Sequence, residues 1–516
     1  VRSGWRSVID CIVKLHHLHL LPSKVTDMEE VRNILKHSNA RSFNKKEETS
    51  ILQSVSNFLS FDSGKSKPEV KTPEEEEAEK RITTYIESCH IEEIFTESKF
   101  LEAESLEYLV SALIWSAGET PKGIANSEEE EERALLCLDL LISTTIRNRD
   151  RIELTWAKTF EHLKSIIDSA TLLSPLVEKG VFGLLRICQR LVPYKDDMAD
   201  DLLRSLQLIL KLDAKVADIL AAQLFSELLH LVKASPDRIQ TEACWKTFSA
   251  LLRVGAHHLE ASPAGFEILE ILIAGNEVTE ENLVSFLEAD LAFIEGHAGS
   301  EDQSMKALDL LMSLVEKIKA WPTSDKIFGY WSKAVNVARH ACNDSRPQVR
   351  NQACVMLQQV LLSSYSMNHT EEQWGEVMKE VVLATVNGLV TNVKKHREHE
   401  YPEMDKTARI ALLMLSKAFL QFLPSLVKLE CFSEIWLETL SILDLCNSCS
   451  SDELSEAVPE ALKNMILVMA TQGVLHPGWT DSEGVNLWNV TWQRARTTSP
   501  NLEPGMLSDY NIEYAK

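Results

Sequence analysis

The sequence predicts an all-α protein: an α-solenoid of stacked helix pairs, HEAT/armadillo-like, with disordered acidic insertions. Three observations predict it. Apolar residues recur at three-and-four spacing from one end of the chain to the other. No convincing strand pair or Asn-Gly hairpin interrupts them. Glycine and proline are sparse, 18 and 16 in 516 residues, which suits helices joined by short polar breaks better than turn-rich sheets. Periodicity counts about eighteen to twenty helices. Helices of modest length without strands stack as antiparallel pairs into a superhelix.

The opening segment, 1–36, starts with a helix on which Trp5, Val8, Ile9, Ile12 and Leu15 line one face, while Arg6, Lys14 and His17 lie elsewhere around it. An aromatic residue with basic flanks suits a membrane interface. The same helix can cap a solenoid or pack on a neighbouring domain, and that is the favoured expectation for Trp5, Arg6, Val8, Ile9, Ile12, Lys14 and Leu15. Residues 37–80 mix Ser, Lys, Glu and Pro, ending in SGKSKPEVKTPEEEE, and read as a disordered insertion. Helical pattern returns over 81–118. Residues 119–132, with Pro121, Gly123 and the run Glu128 to Glu132, read as an acidic linker.

Residues 133–475 read as the main HEAT-like array. Within it Val181, Leu184, Leu185 and Cys188 form a buried stripe, and Pro193 forces a break because it lacks an amide hydrogen. Leu202, Leu203, Leu206, Ile209 and Leu210 then rebuild an apolar face. The clearest repeat signature is Asn343 to Ala353. There Asp344 or Ser345 is placed to accept from free first-turn amides, Pro347 suits the first turn, and Val349, Ala353, Met356 and Val360 bury against a helix over about 326–341. Asp344, Pro347, Val349 and Arg350 match the second helix of a HEAT repeat, whose Asp and Arg ladder with neighbours. No second copy is as clear, so the array is degenerate. Residues 476–516 read as a C-terminal helix and tail.

Composition excludes several functions. The formal net charge is −24, against a broad nucleic-acid footprint and against a surface held to anionic lipid by charge alone. Ten cysteines scattered in apolar runs, Cys11, Cys137, Cys188 and Cys354 among them, resemble buried free thiols of a reducing compartment. No run of uncharged residues approaches bilayer length. The chain begins with Val1 inside a helical pattern, so it is expected to be a piece of a longer protein.

No catalytic or metal-binding constellation stands out. Cys446 and Cys449 have the spacing of half a zinc site, yet no second pair follows at a suitable distance. His16, His17 and His19, and likewise His396 and His399, lack the one-face spacing of metal ligands. The tryptophans occupy helical apolar positions and read as core. Neither a phosphate-cradling glycine loop nor a nucleophile elbow occurs. No cofactor, metal or catalytic residue is therefore expected.

Four strings carry a family resemblance: Thr96-Glu97-Ser98-Lys99-Phe100-Leu101, Asn148-Arg149-Asp150-Arg151, Gly180 to Asp218, and Pro459-Glu460-Ala461-Leu462-Lys463-Asn464. They resemble the large ARF guanine-nucleotide exchange factors of the GNOM type, in the region downstream of the catalytic Sec7 domain. Gly4 to Cys11 resembles the start of the first downstream homology region, which would cover 1–36. The resemblance implies a regulatory and membrane-targeting solenoid in vesicle transport, cytosolic and peripherally associated with Golgi or endosomal membranes. It implies an ARF-family GTPase as partner through Sec7 and other regulatory proteins; a homodimer is one compatible state, and the net charge leads to the expectation of no nucleic-acid partner. In the family a Sec7 glutamate is pushed toward the nucleotide phosphates and magnesium, weakening their binding by repulsion. The Phe-Arg-Leu-Pro-Gly-Glu string typical of that domain is absent from this sequence. The alternative is an acidic HEAT scaffold such as a nuclear-transport receptor.

Overall fold

The computed structural model describes residues 4–26, 81–118, 128–168, 170–322, 326–367, 369–395, 403–449, 451–480 and 484–509. Among these there is no strand; the fold is all-α, with helices stacked in pairs in the HEAT/armadillo-like manner. The chain divides into two compact units, Val1–Leu251 and Leu252–Lys516.

In the first unit the long helices are α1 (Gly4–His17), α2 (Ala103–Ala117), α3 (Glu128–Arg147), α4 (Trp156–Asp168), α5 (Pro175–Leu191), α6 (Ala199–Ser205), α7 (Ala214–Ala234) and α8 (Glu242–Gly255), the last ending just beyond the unit. They form two rows. In one, α3, α5 and α7 lie side by side; in the other, α2, α4 and the 3-10 turn Leu206–Lys211 follow each other. Close approach within the first row is made possible by Gly183, where an added Cβ would stand 2.3 Å from Ile142 Cδ1 of α3. Pro175 opens α5 with Ser174 Oγ accepting from the Val177 amide at 3.3 Å, and the helix ends at Leu191, two residues before Pro193.

Helix α1 packs on α2. Its core residues are Ile9, Ile12 and Val13, set against Leu109, Val110 and Leu113 of α2 and Leu136 and Leu140 of α3. The sequence set Val8 and Leu15 on this face and missed Val13. At about 100° per residue the stripe centres between Ile9 and Ile12, so Val8 and Leu15 fall at one margin. Val8 is 36% exposed. Leu15 serves the helix end: its carbonyl accepts from Leu20 N at 2.9 Å and that of His16 accepts from His19 N at 2.9 Å. This pairing is a Schellman stop, and His19 takes the left-handed position at φ 55° that glycine usually fills. His19→Gly is therefore expected to raise stability by roughly 0.5–1 kcal/mol, read as a higher urea midpoint.

The expected insertion 37–80 lies outside the described residues, as do residues 119–127 of the expected linker. The remainder of that linker is corrected: Glu128 to Glu132 form the first turns of α3. Glutamate is a good helix former, and carboxylates are favoured at a helix N-terminus.

In the second unit α9 (Ser262–Gly275), α10 (Leu283–Glu295), α11 (Glu301–Lys319), α12 (Ile327–Ala341), α13 (Pro347–Ser363), α14, α15 (Met404–Leu426), α16 (Phe432–Asn447), α17 (Asp452–Thr471) and α18 (Leu487–Thr498) follow. Helix α14 starts as Glu371–Glu376, passes through a π-helical stretch Val377–Leu383 and continues as Ala384–Lys394. Again two rows form: α11, α13, α15 and α17 in one, α10, α12, α14, α16 and α18 in the other. Aromatic side chains fill part of the seam, with Trp374 stacked on Phe422 at 4.1 Å and Phe419 5.3 Å from Trp436. His369 sits beside Trp331 and Trp374, and burial pulls its imidazole down to about 4, so it packs there as a neutral ring.

By length and composition α15 could cross a membrane. It is packed between α13 and α17, with Ala408, Leu412, Leu415, Phe419 and Phe422 fully buried. A core helix of a two-row stack meets the same criterion.

Candidate functional site

The connections at one edge of the first unit are tied by polar contacts. Asn148, which follows α3, is buried and donates through Nδ2 to Ser98 Oγ at 2.7 Å and to the Thr144 carbonyl at 2.8 Å. Arg151 donates to the carbonyls of Leu101 at 2.6 Å and Ser98 at 3.2 Å, and to Asn148 Oδ1 at 2.9 Å. The turn before α2 is thus clasped by the turn after α3. The next link reaches the connection after α5: Arg149 lies over the Tyr194 ring at 5.1 Å, and Lys195 pairs with Glu153 at 3.2 Å. That pairing raises the Lys195 ammonium above its usual range. Asp196 then pairs with Arg238, which follows α7. Asp200 accepts from Thr241, and hydrogen bonds from Thr241 and Cys244, with the Arg204 charge, lower its carboxyl although burial opposes them.

Three strings that carry the family resemblance, around Ser98, Asn148 and Tyr194, therefore meet on one edge. In the sequence they are separated by whole helices. Only stacking brings them together, because each returns to the same end of its helix pair.

A second polar chain ties the α12–α13 connection to its neighbours in the second unit. Arg346 donates to both carboxylate oxygens of Asp344, at 2.9 and 2.7 Å, and reaches back to the Ile294 carbonyl at 2.6 Å, the Gly296 carbonyl at 3.3 Å and Ser304 Oγ at 3.0 Å. Arg350, fully buried, donates to the Asp344 carbonyl at 2.8 Å and forward to Thr407 Oγ1 of α15 at 3.0 Å. Thr407 in turn donates to Asn351 Oδ1 at 2.5 Å.

Of the residues read from sequence, Pro347 occupies the first turn of α13 and Val349 is fully buried. The capping expectation is corrected: Asp344 accepts from the Arg346 amide at 2.8 Å, and no side chain caps the first turn of α13. A two-residue turn puts the Asp344 carboxylate over Arg346, too early to meet the helical amides. Arg346 itself escaped the sequence reading. Its only local signal was an Asp-x-Arg spacing just before a helix proline.

On the first helix Trp5 Nε1 donates to Ser105 Oγ at 3.2 Å, and Arg6 lies over Trp115 at 4.5 Å. Ile9 and Ile12 are core, whereas Arg6 and Lys14 are exposed. Through these contacts α1 packs on α2.

No cluster of metal-ligating side chains occurs among the described residues. Burial pushes the thiols of Cys137, Cys188, Cys244 and Cys446 up to about 12, far from the thiolate needed for nucleophilic attack. Cys446 and Cys449 are both buried free thiols. His396 and His399 lie outside the described residues.

Residues 331–502 match a family model described as the GBF1-like tetratrico peptide repeat region, which coincides with α12 to α18 and their connections. ARF guanine-nucleotide exchange factor GNOM of Arabidopsis thaliana is 37% identical, over 99% of this chain and 37% of its own length. Over nearly all of its residues the chain is similar to a GNOM-type exchange factor. From the same plant, ARF guanine-nucleotide exchange factor GNL1 is 33% identical over 98% of this chain and 37% of its own length. A Caenorhabditis elegans protein, the Golgi-specific brefeldin A-resistance guanine nucleotide exchange factor 1 homolog, is 27% identical over 49% of this chain and 13% of its own length. The chain thus spans little more than a third of the GNOM-type proteins it matches over nearly all of its residues.

Proposed function

We propose that this chain is the regulatory and localising arm of an ARF-GTPase guanine-nucleotide exchange factor, the part C-terminal to the Sec7 domain. Similarity to GNOM over nearly the whole chain carries the reading. The helical stack supports it, because paired helices in rows present long surfaces that hold partners without reacting with them. Similarity along nearly all of this chain favours it over an acidic nuclear-transport scaffold. In this reading the intact protein works in vesicle transport, cytosolic and peripheral to Golgi or endosomal membranes. ARF would be engaged by Sec7, while the rows of helices within each unit would recruit regulators or restrain the catalytic domain.

The division of labour is testable. The purified chain, mixed with an ARF protein loaded with fluorescent GDP, is expected to leave nucleotide release at the uncatalysed rate, whereas a Sec7-containing protein accelerates it. Acceleration by this chain alone, to the rate of the Sec7 protein, would refute the reading.

A further inference from the structure

We propose that the outer flank of α1 docks a segment of the same chain, the apolar stripe of residues 51–59. Helix α1 carries more apolar surface than the fold covers. Ile9, Ile12 and Val13 are buried in the core with residues of α2 and α3, yet Val8, Cys11, Leu15 and Leu18 continue at three-and-four spacing along another side of the helix. Leu18 keeps the helical register, its amide donating to the Lys14 carbonyl at 3.1 Å. Val8 is 36% and Leu18 65% exposed, Cys11 is exposed and Leu15 is half-buried. Stacked-helix folds need polar outer faces where the stack is open, so an apolar stripe left there calls for a cover.

Size and tether select the occupant. Four side chains fall far short of the roughly 1,200 Å² that a stable complex between free partners buries. A segment of the same chain escapes that demand, because a tether supplies an effective concentration of about millimolar. The chain leaves the described residues at Thr26 and returns at Arg81. On both sides of that gap it is fixed beside α1: the short helices Ser23–Thr26 and Glu93–Thr96 pack on α3, and Val25 and Phe95 are buried in the same cluster as Ile9 and Ile12. Within the gap the sequence places Ile51, Leu52, Val55, Phe58 and Leu59 on one side of a helical period, with the uncharged Gln53, Asn57 and Ser60 opposite. The chain from Thr26 to Ile51 is long enough to reach any part of the flank: even as a random coil it spans about 25–30 Å, against about 21 Å for the length of α1. The flank is then open to another surface only when the segment leaves it. The inference does not depend on whether the longer protein is an exchange factor.

The test reads Cys11, which lies in the flank itself. The whole chain is pulsed with N-ethylmaleimide and the labelling of each cysteine is followed by peptide mass spectrometry, with the exposed Cys89 as reference. Leu52→Glu/Phe58→Glu, which charges the stripe, is expected to speed labelling of Cys11 by about tenfold and that of Cys89 by less than about twofold. Gln53→Glu/Asn57→Glu adds the same charge on the other side of the pattern and should change the Cys11 rate less than about twofold. Neither variant alters a residue of the described helices, so unfolding by urea is expected to keep its midpoint. Labelling of Cys11 as fast in the parent as in the stripe variant, or equal acceleration by both variants, would overturn the proposal. Acceleration by Val31→Glu/Leu35→Glu in place of the stripe variant would assign the cover to the residues just after Thr26 and also overturn it. So would protection that vanishes on dilution, the mark of a second copy, or protection seen only with phosphatidylserine vesicles, the mark of a membrane.

Discussion

Replacing Arg346 with alanine is expected to destabilise the protein by about 3 kcal/mol. The substitution removes both hydrogen bonds from the Arg346 side chain to the Asp344 carboxylate, which is only 4% exposed, and leaves its charge without a cation, held by the residue-346 amide alone. It also strips a donor from the carbonyls of Ile294 and Gly296 and from Ser304 Oγ, so the α10–α11 connection loses its tie to α13. Much of the effect is the penalty for stranding Asp344. The double variant Asp344→Asn/Arg346→Met should therefore recover part of the loss, because a neutral amide tolerates burial better than a lone carboxylate. Urea unfolding followed by tryptophan emission checks this, since Trp331, Trp374 and Trp436 are all core residues of this unit. A midpoint unchanged in Arg346→Ala would show that the chain of contacts adds nothing to stability.

The opposite sign is expected at Asp290. This side chain on α10 is fully buried, and neither carboxylate oxygen has a hydrogen-bond partner. The buried residues of α9, α11 and α12, which pack on α10, include no charged side chain to offset it. Burial drives its carboxyl well above the usual range, so it is held protonated in the fold. At a pH below the unfolded value, about 3.9, both states carry the proton and the group is neutral to stability. Above that value the unfolded chain ionises while the folded one keeps its proton, so stability falls as pH rises toward the folded value. Asp290→Leu, close in volume and fully apolar, is expected to gain about 1–3 kcal/mol at pH 7. Much of that gain should disappear near pH 4, where the linkage cost is absent. Chemical unfolding at the two pH values measures it. A Leu variant less stable than the parent at pH 7 would mean that Asp290 has a partner when folded.

Much of the fold could be read from periodicity, and the misses have identifiable causes. Pro193 sets the end of α5 because a missing amide hydrogen acts wherever the residue stands. The turn before Pro347 was recognised as a helix start for the same reason. By contrast, Glu128 to Glu132 looked like a solvated charge run, and the chain made it the start of α3; composition alone does not distinguish a linker from an acidic helix N-terminus. Val13 was overlooked and Val8 included on α1 because an apolar stripe has two margins, and the neighbouring helix decides which of them it covers. The π-helical stretch in α14 has no recognisable signature in its residues Val377–Leu383.

The candidate site was legible only in pieces. The strings around Ser98, Asn148 and Tyr194 carried a resemblance, with no indication that they shared a surface. Asn148 and Arg151 are ordinary polar residues until a turn fifty positions earlier in the chain supplies their acceptors.

By itself, the sequence determined that the chain is helical, where individual helices break, as at Pro193, and that it carries a formal net charge of −24. Those properties depend on local terms, on which residues lack a donor or repeat with a helical period, and on summed charge. Tertiary structure alone decided that Arg346 rather than a first-turn amide receives Asp344, that Asp290 is sealed without a partner, and that Phe100 and Tyr194 stand exposed on one edge. Each of these depends on which distant backbone lies alongside, and that is fixed by the stacking of whole helices rather than by the residues next in sequence.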